Sequence, residues 1–286
     1  MPDIVLLRFY TFSASLMAVA LLPSVAFRHR EMVRRSLTLL VLLHLFCLAM
    51  WLGALAFTVL IALILSLGLC ELSRHVRISR PLFIAPGLAV FLIMLYQSNA
   101  LIPAFPLFLA IAAITFLCDR HRVRHPVFLV GFALFLLAPA AASLVRLFEM
   151  HVNRVISLLF LLQWNNVFGL LFGKLFGRTH LFKTISPGKT LEGYLSGGVG
   201  VLLGLFLLHS YIPVFPSWDT GADLMRIGVI FLFGNAGDLL FSTLKRKLDI
   251  KDFGRLLPGH GGVLDRFDDI LFVTPIFYLM AGYGLI

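Results

Sequence analysis

Near the C-terminal end, the stretch PGHGGVLDRFDD, Pro258 to Asp269, sets one histidine, one arginine and three carboxylates behind a run of glycines. Spacings of three and four place Asp265 with Asp268 and Asp269 on one helical face. One aspartate would be enough to cap a helix. Three crowded carboxylates repel one another unless a cation neutralises them. Oxygen donors, with no cysteine nearby and one lone histidine, suit Mg²⁺ rather than Zn²⁺. Gly259, Gly261 and Gly262 let the backbone approach a ligand closely, and successive N–H groups in such a turn cradle phosphate. His260 reads equally as a turn residue bonded to its own backbone and as a ligand or acid.

Two further segments carry polarity of the same kind. In GDLLFSTLKR, Asp238, Ser242 and Lys245 stack on one face of a helix end, followed by Arg246, Lys251 and Arg255. An aspartate that deep in an apolar helix is costly unless it is paired or functional. A structural Asp238–Lys245 type pair is the alternative reading of these residues. Upstream, Ser186-Pro187-Gly188-Lys189-Thr190 ends in GKT. It is not a phosphate-binding P-loop, because the required upstream glycine is Lys183 and no strand is expected before it. A Gly, a Lys and a hydroxyl before a helix N-terminus still make an anion site. Gly193, Gly197, Gly200 and Gly204 then read as small-residue steps for helix packing. Clustered carboxylates facing a basic, glycine-rich rim describe metal-assisted phosphoryl or nucleotidyl transfer.

The elements that must position these groups are greasy. Sixty per cent of the 286 residues are apolar, 13% are charged, and the mean hydropathy is +0.97. Soluble domains carry about a quarter charged residues. Apolar runs of membrane-spanning length recur throughout, so the expected class is an all-α, polytopic integral membrane protein. MPDIVLLRFY lacks the basic flank of a cleavable signal, so the first run is read as a retained helix. Cys47, Cys70 and Cys118 are far apart and read as packing residues.

The net charge of +10 sits in five clusters, around residues 28–35, 74–80, 120–124, 174–189 and 245–266. The positive-inside rule assigns such loops to the cytoplasmic face. All five share it if the spans are 4–27, two in 36–72, two in 81–118 broken near Asn99 and Pro103, then 126–147, 154–173, 191–210, 227–247 and 269–286. That makes about ten transmembrane helices, both termini outside. Residues 1–150 form a lipid-facing scaffold and 151–286 the catalytic region. The first three clusters read as topology determinants, with a secondary attraction to anionic lipid. No nucleic-acid partner is expected.

Ser242-x-Leu244-Lys245-Arg246-x4-Lys251-Asp252-x-Gly254-x3-Pro258-Gly259-His260-Gly261-Gly262-x2-Asp265-Arg266-x-Asp268 resembles the signature of phosphatidate cytidylyltransferases, the CDP-diacylglycerol synthases. Gly173-Lys174-Leu175-Phe176-Gly177-Arg178 with the Ser186–Thr190 segment resembles them too. The resemblance covers roughly residues 160–286. It implies transfer from CTP to phosphatidate, giving CDP-diacylglycerol and pyrophosphate, by a cell-membrane enzyme, usually dimeric. It implies a need for Mg²⁺, with K⁺ as a second ion. By position, Asp238, Asp265 and Asp268 resemble the metal-binding and catalytic acidic residues, and Ser242 accompanies them. Lys174, Ser186, Lys189, Thr190, Lys245, Arg246, Lys251, Gly259, His260, Gly261, Gly262 and Arg266 resemble substrate-binding positions, undivided between the two substrates.

The sequence departs from that family at Asn166, where the family carries an aspartate. The amide keeps an oxygen and loses a charge. That leaves a paralogue of altered substrate or reduced activity as the alternative, or a scaffold that retains the motif; Asn165 and Asn166 also suit bonding across helices. A transporter using Asp238 as a relay would place its polar groups near the midplane rather than at one rim. An enzyme moving an alcohol onto CDP-lipid would show a run of spaced Asp and Gly on one helix, which is not found.

Overall fold

The computed structural model describes residues 4–15, 30–76, 78–97, 101–212, 214–215, 218–259 and 261–286. Arg28, Arg77 and His260 lie outside the described residues, as does much of the first expected span. The helices are α1 (Ile4–Ser15), α2 (Arg30–Leu52), α3 (Ala54–Ser73), α4 (Arg80–Tyr96), α5 (Leu101–Leu117), α6 (Arg120–Arg124) and α7 (Pro126–Phe132). A π-helical turn, Ala133–Leu137, joins α7 to α8 (Ala138–Met150). Then come α9 (Val152–Phe176), the strands β1 (His180–Phe182) and β2 (Ser186–Thr190), α10 (Leu191–Ser210), α11 (Thr220–Lys247) and α12 (Leu264–Gly282).

Five of these rods are long and apolar enough to cross a membrane: Ala54–Ser73, Pro126–Met150, Val152–Phe176, Leu191–Ser210 and Thr220–Lys247. α4 and α5 have 17 residues each, and α12 opens with four charged residues. Apolar side chains such as Leu55, Leu117, Leu170, Val199 and Phe206 stand exposed around the outside. A water-soluble protein does not present so much apolar surface; a multi-pass helical membrane protein does. Pro126–Met150 is the central rod, 72% buried against 39–50% for the other four long spans.

The 36–72 segment resolves into two helices because of Gly53, whose φ of 101° is a conformation that a side chain resists. Thr38 on α2 donates to the Pro258 carbonyl at 2.9 Å. Glu71 on α3 meets the backbone of Val263 and Leu264. Both outer ends of the pair therefore touch one loop, so α2 and α3 run antiparallel with Gly53 at the far turn. α4 ends at Tyr96 and α5 begins at Leu101, while Asn99, where a break was expected, lies outside the described residues. Pro103 lies inside the first turn of α5, where a missing N–H removes no helical bond.

The glycine stripe of α10 packs on α9. A methyl carbon built on Gly197 would lie 2.6 Å from Asn165 Oδ1, and one on Gly200 2.5 Å from the Trp164 carbonyl. Gly193 and Gly204 face Gly169 and Trp164 in the same way. Backbones this close gain dispersion contacts that larger residues would prevent. At the far end of α11, buried Arg226 pairs with Asp223 at 2.5 Å and lies 4.0 Å over the Phe215 ring, while His209 stacks on Trp218. That cluster ties α10 to α11.

One expectation is corrected here. The GKT segment is not a loop after a strandless stretch: Ser186–Thr190 is itself β2, paired antiparallel with β1. Tight pairing of Phe182 with Ser186 leaves no phosphate-cradling loop, so the P-loop exclusion stands on the missing glycine and on this hairpin.

Gly197→Val should lower stability by about 1–3 kcal/mol through overpacking. Gly228→Ala, where nothing lies within 4 Å, should be neutral or stabilising by up to about 1 kcal/mol. Thermal melts of both variants in detergent check the pair.

Candidate active site at the polar rim

Seven chain segments deliver their ends to one rim. Lys247, in the last turn of α11, donates to the carbonyls of Thr115, Phe116 and Cys118 at 2.6, 3.0 and 2.5 Å. These are unsatisfied groups at the C-terminus of α5, which a lysine complements. Asp249, at a φ of 56°, pairs with Arg120 at 2.9 Å and with Arg124. Arg120 and Arg124, expected to act on topology alone, thus also hold the loop that follows α11. Arg246 donates to the Ile185 carbonyl at 3.2 Å and so anchors the β1–β2 hairpin to α11.

On this frame the acidic and basic groups interleave. Lys189, on β2, reaches Asp238 Oδ2 at 2.8 Å. Ser242, one turn on, donates to Asp238 Oδ1 at 3.3 Å. Lys245 reaches Asp265 Oδ1 at 2.8 Å. Asp265 Oδ2 accepts from the backbone N–H of Phe253 at 2.7 Å and of Gly262 at 2.9 Å. Asp238 and Asp268 lie close enough for the charge of each to act on the other, and both act on Lys245. Gly237 allows this: a methyl carbon there would lie 3.1 Å from the Asp268 carbonyl and 2.7 Å from Phe272. The side chain of Asp238 is 41% exposed and that of Asp265 only 4%. Asp238 is therefore the accessible carboxylate of the two, and Asp265 ties the loop to Lys245.

The glycine-rich turn sits where the sequence put it, with positive φ at Gly259 (80°) and Gly261 (84°). Leu257 N–H closes it on the Gly261 carbonyl at 2.9 Å. Gly262 and Gly254 make room for a residue that sequence reasoning missed. Glu71, from α3, is buried and accepts from Val263 N–H at 2.9 Å and Leu264 N–H at 3.0 Å. The N-cap residue of α12, Val263, has no capping side chain. Glu71 supplies the cap from 192 residues away, placing a negative charge at the helix N-terminus. Its signal was a lone acidic residue at the end of the 36–73 apolar run.

Not every expected residue points to the carboxylates. Thr190 Oγ1 accepts from Gly193 N–H at 3.2 Å and caps α10. Ser186 is held in the strand pairing. Arg266 donates to Gln163 Oε1 on α9 at 3.3 Å. Lys174 and Lys251 are exposed at the edge. Asn166 donates to Asp269 Oδ2 at 2.5 Å.

Among the described residues, no group of three or more His, Cys, Asp or Glu side chains is gathered to hold a metal ion. Asp238 and Asp268 are hard oxygen donors on facing turns, which fits Mg²⁺ bound by one or two carboxylates together with substrate phosphates. The rim offers carboxylates for a cation and lysines for phosphate, while the Gly262 N–H of the glycine turn is already held by Asp265.

Glu71→Ala should leave two buried N–H groups without partners and cost about 2–4 kcal/mol. Glu71→Gln, which keeps one acceptor, should fall between it and the parent. Thermal or denaturant unfolding in detergent measures both; an alanine variant as stable as the parent would contradict the capping role.

The cytidylyltransferase family matches residues 33–283. The protein YnbB of Escherichia coli (strain K12), itself described as uncharacterized, is 36% identical over 129 residues, 45% of this chain and 42% of its own length. A phosphatidate cytidylyltransferase of Aquifex aeolicus (strain VF5) is 37% identical over 155 residues, 54% of this chain and 56% of its own. One from Bacillus subtilis (strain 168) is 41% identical over 120 residues, 42% and 44% respectively. The chain spans about half the length of the curated relatives it matches. With the family match running through nearly the whole chain and over every element of the rim, the chain belongs to the cytidylyltransferase family.

Proposed function

We propose that the protein is a phosphatidate cytidylyltransferase, converting CTP and phosphatidate to CDP-diacylglycerol and pyrophosphate. The observation that carries this reading is the pairing of Lys189 with Asp238 and of Lys245 with Asp265 at the end of an apolar helix bundle. A site with alternating cations and carboxylates accepts a polyphosphate and a divalent cation together. Its place at the ends of apolar helices presents it to a lipid head group. The names of the Aquifex and Bacillus relatives point to the same reaction.

A phosphatidate oxygen, already an anion, attacks the α-phosphorus of CTP. The bond from that phosphorus to the β-bridging oxygen breaks, and pyrophosphate leaves with the electron pair. No side-chain nucleophile is required, so Ser242 orients Asp238 rather than attacking. Lys189 and Lys245 release their carboxylates and take up phosphate oxygens. Asp265 holds the Phe253–Gly262 turn against α12 throughout. Mg²⁺, held by Asp238 and Asp268 with Asp265 beside them, would neutralise the charge that grows on the phosphates. K⁺ is assigned as a second ion.

The finer architecture belongs to the same proposal. About ten helices cross the inner membrane with the rim on the cytoplasmic face, since the basic residues gather there. The protein acts as a homodimer. Residues 1–150 form the scaffold, with Glu71 as its contribution to the site, and 151–286 the catalytic region. Polar groups at a rim weigh against a transporter, which gathers them near the midplane.

Purified protein given phosphatidate, labelled CTP and Mg²⁺ should form a cytidine-bearing lipid and pyrophosphate in equal amounts. Asp238→Asn should lower kcat by about 100-fold or more, the scale of a lost transition-state charge contact. Asp265→Asn turning over at the parent rate would remove Asp265 from the site. Chelation with EDTA should abolish turnover and added Mg²⁺ should restore it; activity that persists in EDTA would contradict the cation assignment.

A further inference from the structure

Two helices of the site carry asparagines that lead to an aspartate on a third. Asn235 stands one turn before Asp238 on α11, Asn165 and Asn166 lie on α9, and Asp269 follows Asp268 on α12. Asn235 Nδ2 donates to Asn165 Oδ1 at 3.4 Å, and Asn165 Nδ2 to Asn166 Oδ1 at 3.5 Å. Asn166 Nδ2 donates to Asp269 Oδ2 at 2.5 Å. Each amide donates toward α12, and the series ends on a carboxylate. Asn165 is buried, and Gly197 makes room for it: a methyl carbon there would lie 2.6 Å from its amide oxygen. One turn away on both helices, Arg266 bonds Gln163. Asp269 is itself buried, and the nucleotidyl-transfer chemistry above does not use it.

A buried carboxylate without partners would be costly in such a bundle. Here it receives the Asn166 amide and its own helix's Ile270 N–H at 2.7 Å, with the Arg266 charge one turn away. The carboxyl groups of Asp238 and Asp268 stand nearby. One more carboxylate at residue 166 would meet Asp269 at hydrogen-bond distance, where two like charges cannot both stay ionised. Two amides would lose the charge-assisted bond, about twice the strength of a neutral one.

We propose that Asn166 and Asp269 form an amide–carboxyl unit that locks α12 against α9, and that Asp269 is thereby a positioning residue for the adjacent Asp268. The unit needs one carboxylate and one amide, and either helix can carry either. Its structural part stands independently; its effect on turnover rests on the cytidylyltransferase reading.

The test compares Asn166→Asp, Asp269→Asn and the exchanged double variant in detergent, reading melting temperature, kcat and KM for CTP. Each single variant should melt below the parent and lose roughly tenfold or more in kcat, the worth of one charge-assisted bond. KM for CTP should stay within about twofold, since neither residue is assigned to nucleotide. The double variant should recover both melting temperature and kcat to within about threefold of the parent, because coupled residues are non-additive. A double variant no better than the worse single would overturn the unit. Single variants that melt early yet keep parental kcat would overturn the positioning role. A parent that makes no cytidine lipid would end the enzymatic reading and the positioning role with it, while the melting cycle still decides the unit.

Discussion

Charge inside a lipid-facing bundle has to be matched, and that constraint orders this structure. Lys189 and Lys245 neutralise Asp238 and Asp265. Glu71 is held by two backbone N–H groups, Asp269 by an asparagine, and Arg226 by Asp223. Leaving one partner of such a pair alone is far costlier than the pair itself. The matching is therefore also what fixes the helices relative to one another. α3 meets α12 through Glu71, α9 meets α12 through Asn166, and α11 meets the hairpin through Lys189 and Arg246.

The same matching explains how lysines and carboxylates stand side by side at the proposed nucleotide site. Lysines resting on carboxylates keep the rim close to neutral. In the proposed reaction the phosphates would take up the lysines and the cation the carboxylates, so binding exchanges the internal pairs. Asp238, with its 41% exposure, lies on the accessible side. In the proposed reaction the lipid reactant would meet this rim at the ends of apolar helices.

The acidic and glycine-rich segments were legible in the sequence because they interrupt an apolar background. Asp238, Ser242, Lys245 and Asp265 stood out by spacing alone, and the geometry joins them. Lys189 emerged from the basic segment before α10, although its strand did not, since a two-stranded hairpin of eight residues carries no period to read. Glu71 stayed hidden because its partners are backbone amides 192 and 193 residues away, and no side-chain pattern marks a backbone donor. Asn166 looked like a lost charge, and the structure sets the carboxyl group of Asp269 against it on the neighbouring helix. Thr190 shows the reverse error, a hydroxyl that looked ligand-directed and caps its own helix.

The most direct measurement is an experimental structure of the protein in a bilayer mimic with Mg²⁺ and a non-hydrolysable CTP analogue. The triphosphate should lie between the end of α11 and the start of α12, with Lys189 Nζ moved from Asp238 onto a phosphate oxygen and the cation beside Asp238. Nucleotide bound elsewhere while the Lys189–Asp238 pair stays closed would contradict the assignment of this rim as the active site.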